Sequence, residues 1–241
     1  MKLSRVYREI CLPIQATTGR PTVIAGGAVR DHLVGRKPKD YDVFVLSGKL
    51  GPPMVSKLVK QIREAVLTLS ADTEVFSGVS HLSFPAVGKY DGHSSITPIA
   101  EFNFWTHKVQ IMVFPGSTVE SLLNSFDYPI CCVAYKDYHP VQTHWNVKKI
   151  LRDHGYLLLN TTKLPAPQIT LRRGYDFAAR YGLKLSETTV KYLCSQIASS
   201  AVKPAEPVEV PQWSKVPHSH SEYYSGTVLA QMATALGVSW K

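Results

Sequence analysis

The stretch Val23-Ile-Ala-Gly-Gly-Ala-Val-Arg-Asp-His-Leu-Val-Gly-Arg-Lys-Pro-Lys-Asp-Tyr-Asp-Val-Phe-Val45 decides how the rest of the chain is read. Its apolar, β-branched start predicts a strand over 22–26 that runs into a double glycine. Residues 28–35 follow as a short helix with Gly35 as its stop, and 41–46 predict a second strand. Asp40 and Asp42 are two residues apart on that strand, so both carboxylates leave the same face. Such a pair repels unless a cation lies between them, and a hard divalent ion, Mg²⁺ or Mn²⁺, is the usual solution. Gly26 and Gly27 let backbone N–H groups approach a phosphate at a helix start. A phosphate cradle one helix before a metal-binding acid pair points to nucleotidyl transfer.

Outward from this stretch, residues 3–19 carry apolar side chains at helical spacing and end near Thr17-Thr18-Gly19. Met54 to Ser70 predicts an amphipathic helix, with Val55, Leu58, Val59, Ile62, Val66 and Leu69 on one side. Two strands are expected at Ile99–Trp105 and Lys108–Phe114, joined by a tight turn at Thr106-His107. A short helix is expected at 118–124, and the apolar run Tyr128–Tyr135 fits either a helix or a buried strand. From about Asn146 the texture becomes more basic and helical, with helices at Thr170–Tyr181 and Ser186–Ile197 broken at Gly182. The expected organisation is a head over 1–145, a helical neck-like region over 146–200, and a Pro/Ser/His-rich segment with a short helix over 201–241.

The 241 residues carry a formal net charge of +9, which favours a polyanionic partner such as nucleic acid. Cys11, Cys131, Cys132 and Cys194 fit neither a zinc site nor a dense disulfide framework, and the adjacent pair reads as small apolar filling. With no leader-like segment and no apolar run long enough to span a membrane, a cytoplasmic setting without a membrane partner is expected.

Gly26-Gly-Ala-Val-Arg-Asp31, followed by Leu33, Gly35, Pro38 and Asp40-x-Asp42, resembles the signature of bacterial poly(A) polymerases and class II CCA-adding tRNA nucleotidyltransferases. These belong to the DNA polymerase β-like nucleotidyltransferase superfamily. Phe126-Asp-Tyr-Pro-Ile-Cys-Cys-Val-Ala-Tyr135 resembles the family's Arg-Asp-Phe-Thr-Ile-Asn-Ala-Leu-Ala-Tyr element. Arg172-Arg-Gly-Tyr-Asp-Phe-Ala-Ala-Arg-Tyr-Gly182 is similar to the helix ending in Arg-Phe-Ala-Ala-Arg-Leu-Gly. The resemblance covers roughly residues 20–197 and implies an α+β fold, a mixed β-sheet flanked by helices followed by a small helical region. It also implies an enzyme that moves a nucleoside monophosphate from an NTP to a hydroxyl and releases pyrophosphate, with an RNA 3′ end as the foremost acceptor. A binding module of the same fold, for NTP or RNA, is the rival reading, and a protein or small-molecule hydroxyl is an alternative acceptor.

The departures are specific. Where tRNA-type enzymes carry a Glu-Asp-x-x-Arg motif that selects CTP or ATP, this chain has Ala166, Pro167 and Thr170, which lack those donors and acceptors. Phe126 stands where the family has arginine. Gln110 stands where a third carboxylate is expected, and Glu101, alternating with Asn103 on the neighbouring strand, substitutes for it if the register brings the two into line. Site roles follow from the resemblance. Asp40 and Asp42 hold the metal; Gly26, Gly27 and Arg30 lie against the triphosphate, and Asp31 orders the loop. Lys39 either meets a phosphate or is solvated. Asp127 either accepts hydrogen bonds from ribose or caps the segment after it. Arg172, Arg173 and Arg180 bind the triphosphate or acceptor strand, or are solvated. Trp145, Trp213 and Trp240 stack on bases or pack, and His218 and His220 look like a metal tract without partners.

Overall fold

A computed structural model describes residues 1–71, 79–84, 98–153, 155–162, 164 and 166–201, with the side chains of the last two left aside. Met1–Ala201 form one compact unit. The Pro/Ser/His-rich segment, the helix expected beyond it, Trp213, Trp240, His218 and His220 lie outside the described residues.

The N-terminal helix runs as α1 (Leu3–Val6), a π-helical turn (Tyr7–Cys11) and α2 (Leu12–Thr18), and Gly19 stops it with φ +65°. The wider turn ends two residues before Pro13, whose missing N–H and bulky ring cannot be fitted into an unbroken α-helical ladder. Then come β1 (Thr22–Ala25), α3 (Gly27–Leu33), β2 (Asp40–Leu46) and α4 (Pro52–Ala71). Two prolines open α4, and its buried residues Leu58, Ile62, Ala65, Val66 and Leu69 recur every three or four positions.

The sheet is completed by β3 (Val79–Ser83), β4 (Pro98–Phe104), β5 (His107–Phe114), β6 (Val133–Lys136) and β7 (His139–Gln142), and α5 (Val119–Leu123) lies between β5 and β6 in sequence. Its seven strands run in the order β3-β4-β5-β2-β1-β6-β7. Among them β2 and β5 alone pair in parallel; the other ladders are antiparallel. The expected mixed sheet flanked by helices is therefore present.

Two local expectations are corrected, and two strands are added. The β4–β5 turn falls at Trp105-Thr106 because Phe104 pairs with His107. The ambiguous run Tyr128–Tyr135 divides into a 3₁₀ turn, Pro129–Cys131, and β6, the proline fitting the first position of the turn. The short strands β3 and β7, mostly solvent-facing, carry too few apolar side chains to announce themselves.

Strand alternation divides the core. Tyr41, Val43, Val45, Val109 and Ile111 pack on one face with residues of α1, α2, α4 and α3. Phe44, Leu46, Met112 and Phe114 pack on the other with Leu122 and Leu123 of α5. The helical region follows as α6 (Val147–Arg152), α7 (Pro167–Tyr181) and α8 (Glu187–Ala201), with β8 (Tyr156–Leu157) and β9 (Lys184–Leu185) paired in parallel. Pro167 opens α7 and Gly182 closes it at φ +67°. The Ser186 hydroxyl accepts from the Thr189 N–H at 3.1 Å and caps α8.

Candidate active site

Strand register builds the site. Ala25 pairs with Asp42, Asp42 with Gln110, and Gln110 with Glu101, so a row of side-chain positions crosses β1, β2, β5 and β4. Asp40 lies two residues along β2, opposite Lys108. Cross-strand neighbours share a face, so Asp40, Asp42, Gln110, Glu101 and Lys108 belong to one polar surface at the edge of the second core.

Gln110 is turned toward the outer strand: its amide Nε2 donates to Glu101 Oε1 in a short hydrogen bond. The other Glu101 oxygen meets Lys108 Nζ at 3.1 Å. Glu101 thus stands one strand beyond Gln110, hydrogen-bonded by an amide and ion-paired with an ammonium. Asp42 has no such satisfaction. Burial and then the Asp40 charge push its pKa from 3.8 up to about 7, although Arg173, Lys108 and Arg30 pull it back. A buried acid whose proton affinity is raised by a second acid beside it forms with that neighbour a donor pair a divalent cation relieves. Among the described residues no group of three or more His, Cys, Asp or Glu is placed to hold a metal ion. A pair of carboxylates is a donor set that Mg²⁺ commonly takes, its shell completed by water and substrate phosphates.

The other motif residues form a second, buried layer. Gly26 adopts φ +74°, ψ −127° and its N–H donates to the Val133 carbonyl at 2.9 Å, a conformation that favours glycine and tethers the α3 start to β6. Arg30 and Asp31 are 4% and 2% exposed. Arg30 Nε donates to Asp31 Oδ1 at 3.0 Å and Nη1 to the Cys131 sulfur at 3.4 Å, while its guanidinium lies 4.9 Å from the Phe177 ring and 4.8 Å from the Tyr181 ring. Burial works against the Arg30 charge, but Cys131, Tyr181 and Asp31 more than offset it and hold its pKa above the ordinary guanidinium value. Asp31 also accepts from the Tyr181 hydroxyl in a short bond and from Arg180 Nη2 at 2.8 Å. Arg30 and Asp31 therefore tie α3 to α7.

Asp127 is buried and its Oδ2 meets Arg173 Nη1 at 2.9 Å. The N-cap of the turn that follows is Tyr128, not Asp127, and no side-chain cap bond is made there. Arg173 also reaches the Cys131 sulfur at 3.9 Å, so Cys131 stands between two guanidiniums rather than serving as plain filling. Burial opposes the Arg173 charge, but Asp127 and Cys131 leave its pKa raised. Lys39 is exposed, and Arg172 is an exposed residue 3.9 Å from Asp176. Phe126 packs edge-on against Phe44 at 5.9 Å. Trp145 packs beside the second core and donates Nε1 to Asn160 Oδ1 at 2.7 Å.

Cys131, Tyr181, Lys108 and Tyr128 join this region without having been singled out. Tyr128 donates its hydroxyl to the Thr170 carbonyl at 2.8 Å, and a Cβ on Gly174 would collide with that hydroxyl. The Arg-Gly-Tyr spacing in α7 carries that signal, because a glycine inside an otherwise regular helix marks a close approach.

Sheet order, helix placement and the acid-bearing strand define a polymerase β-like nucleotidyltransferase fold. It is shared with a solved tRNA-processing enzyme in its apo form, at 20% identity and a TM-score of 0.57, over 85% of this chain and 49% of that one. It is also shared with the Thermotoga maritima CCA-adding enzyme complexed with tRNA, at 19% identity and 0.55, over 81% and 42%. A CCA-adding enzyme complexed with ATP matches at 18% identity and 0.56, over 82% and 44%. The chain thus spans less than half the length of each of these structures. No curated protein sequence matches the chain. Residues 5–149 match the Gabija anti-defense 2 family, and the chain belongs to that family.

Proposed function

We propose that the chain is a metal-dependent nucleotidyltransferase that transfers a nucleoside monophosphate from an NTP to a hydroxyl, with an RNA 3′ end as the acceptor and pyrophosphate released. Such transfer would be the means by which a Gabija anti-defense protein acts. The observation that carries this reading is the acid row: Asp40 and Asp42 on one strand face, Asp42 pushed up by burial and by its neighbour. A chain that only bound nucleotide would gain nothing from two acids that repel each other. Asp40 and Asp42 would hold Mg²⁺ or Mn²⁺, which when bound neutralises triphosphate charge and favours attack on phosphorus.

The residues of the chain divide the remaining work. Gly26 and Gly27 give the triphosphate close approach to backbone, and Arg30 and Arg173 supply positive potential from behind the acids, with Asp127 orienting Arg173. Lys39 is the exposed cation nearest in sequence to Asp40. Glu101, held by Gln110 and Lys108, is the carboxylate in register to accept the proton of the attacking hydroxyl. Residues 1–145 serve as the catalytic head and 146–200 as its neck, with Arg172 and Arg180 available to the acceptor strand. The +9 net charge and the absence of the Glu-Asp-x-x-Arg motif support an RNA acceptor and relaxed base choice.

Label transfer from each α-labelled NTP to total RNA, with Mg²⁺ or Mn²⁺, tests this directly, with Asp40→Asn as control. Transfer lost in Asp40→Asn and sharply reduced in Glu101→Gln supports the assignment. Transfer absent from the parent but gained in Gln110→Glu indicates the binding-module reading, which Gln110 favours. No transfer in either overturns the enzymatic reading.

A further inference from the structure

On the opposite face of the sheet from the acids, the start of β5 meets the N-terminal helix around a cavity of about 540 Å³. His107 lines it, and strand alternation sends His107 away from the side that carries Lys108 and Gln110. Three cations, Lys2, Arg5 and Arg8, line the same cavity, and Arg5 and Arg8 share the Glu9 carboxylate at 3.0 and 2.8 Å. The local charge is therefore positive even with that pairing complete.

His107 forms part of the wall: it is 5% exposed, one ring nitrogen lies 3.1 Å from the Thr106 hydroxyl, and its Nε2 is closed off from solvent. The feature that marks the cavity as a ligand site rather than a basic dent is Trp105, the first residue of the β4–β5 turn. It sits at φ +57°, where glycine is the ordinary choice, and half of it faces solvent. Arg5 lies 4.9 Å from the ring centroid, which fixes a planar aromatic platform beside the cations.

We infer that this cavity binds a phosphorylated nucleoside: the base stacks on Trp105, and Lys2 and Arg8 meet the phosphate. Aromatic platforms beside cations bind bases through their π-faces without needing a sequence. The nucleotide arrives either free or as one unit of an RNA strand. In the second case the strand meets the protein on the side of the sheet away from the acids. The inference does not depend on catalysis, because neither acid takes part.

The test uses the full chain carrying Asp40→Asn and Asp42→Asn, in EDTA, so that failure of the transferase reading cannot mimic failure here. Binding of labelled hexa-adenylate RNA is read by anisotropy, and AMP is added as competitor. Salt-sensitive binding is expected, weakened about tenfold or more in Trp105→Gly, while the melting temperature of that variant is kept or raised because glycine suits the positive φ. Arg8→Ala, at an exposed position that cannot unfold the protein, should weaken binding and lower the salt slope by about 0.7. AMP that displaces the RNA identifies a free nucleotide as ligand, and RNA that binds while AMP does not compete identifies the strand. Binding unchanged in both variants, or no binding of either probe, overturns the inference.

Discussion

Asp31 and Asp42 come from the same short stretch of sequence and meet opposite fates. Asp31 is enclosed by three donors, Arg30, Arg180 and Tyr181, and binds α3 to α7. Asp42 is held against Asp40 with no hydrogen bond of comparable quality, and its proton affinity rises to about pH 7. A carboxylate that is fully satisfied within the fold does structural work. A carboxylate that the fold leaves in conflict does its work with something bound. The contrast separates framework from site inside a motif whose residues look alike in one dimension.

The largest effect that would test this contrast is on transfer. Asp42→Asn should lower nucleotidyl transfer at least about a thousandfold, since several kcal/mol of metal-assisted charge stabilisation are lost and each 1.36 kcal/mol is tenfold. The same substitution should leave the urea midpoint unchanged or raise stability by about 1 kcal/mol, because a charge disfavoured first by burial and then by Asp40 is gone. A clear loss of stability would place Asp42 with Asp31 and break the contrast.

Asp31→Ala runs the other way. It leaves Arg30 buried at 4% exposure with its carboxylate partner removed, and should cost about 3–5 kcal/mol in urea unfolding. Whatever fraction remains folded should still transfer label. A loss below about 1 kcal/mol would mean that the cluster behaves like a solvated surface pair.

The same cluster shapes the alkaline limit. Burial first, and then the hydrogen bond to Asp31, push Tyr181 from 10.0 up to about 12. Below pH 10 the phenol is neutral in both states and its contribution is complete. As the pH climbs from 10 toward 12 the unfolded chain ionises first, and stability falls by up to about 2–3 kcal/mol for this group. Tyr181→Phe should flatten that part of the curve and leave the part due to Tyr7 and Tyr41, each also pushed up to about 12 by burial. An unchanged alkaline limb in Tyr181→Phe would show that the hydroxyl is not enclosed.

The fold was legible where local chemistry is unambiguous. The double glycine, the alternating Asp40 and Asp42, the apolar stripe of α4 and the break at Gly182 each dictate one backbone answer, and each element formed within a few residues of expectation. The acid pair was legible for the same reason: two residues on one strand share a face whatever they pack against. What sequence could not supply was register. Whether Glu101 lies beside Gln110 or beyond it depends on which β4 residue faces which β5 residue, and the irregular pairing between Pro98 and Ala100 shifts that alignment. The roles of Arg30 and Cys131 were hidden for a related reason. Their partners Tyr181 and Arg173 come from α7, far along the chain, and only the packing of that helix turns a presumed phosphate contact and a presumed filler into one buried cluster.

Arg172 and Arg173 supply the smallest test and the sharpest form of the same distinction. Adjacent residues on a helix point about 100° apart, so only one of them can face the sheet. Arg173 does, and meets the buried Asp127 at 2.9 Å; Arg172 faces solvent, 62% exposed, at 3.9 Å from Asp176. Arg173→Ala should cost about 1–3 kcal/mol, because it removes a charged hydrogen bond from a buried carboxylate. Arg172→Ala should change stability by less than about 0.5 kcal/mol, since side-chain entropy and salt screening cancel most of an exposed pair. If Arg172→Ala nevertheless weakens RNA binding and lowers its salt dependence, the exposed arginine contacts the acceptor, and α7 presents one face to the fold and the next to the strand.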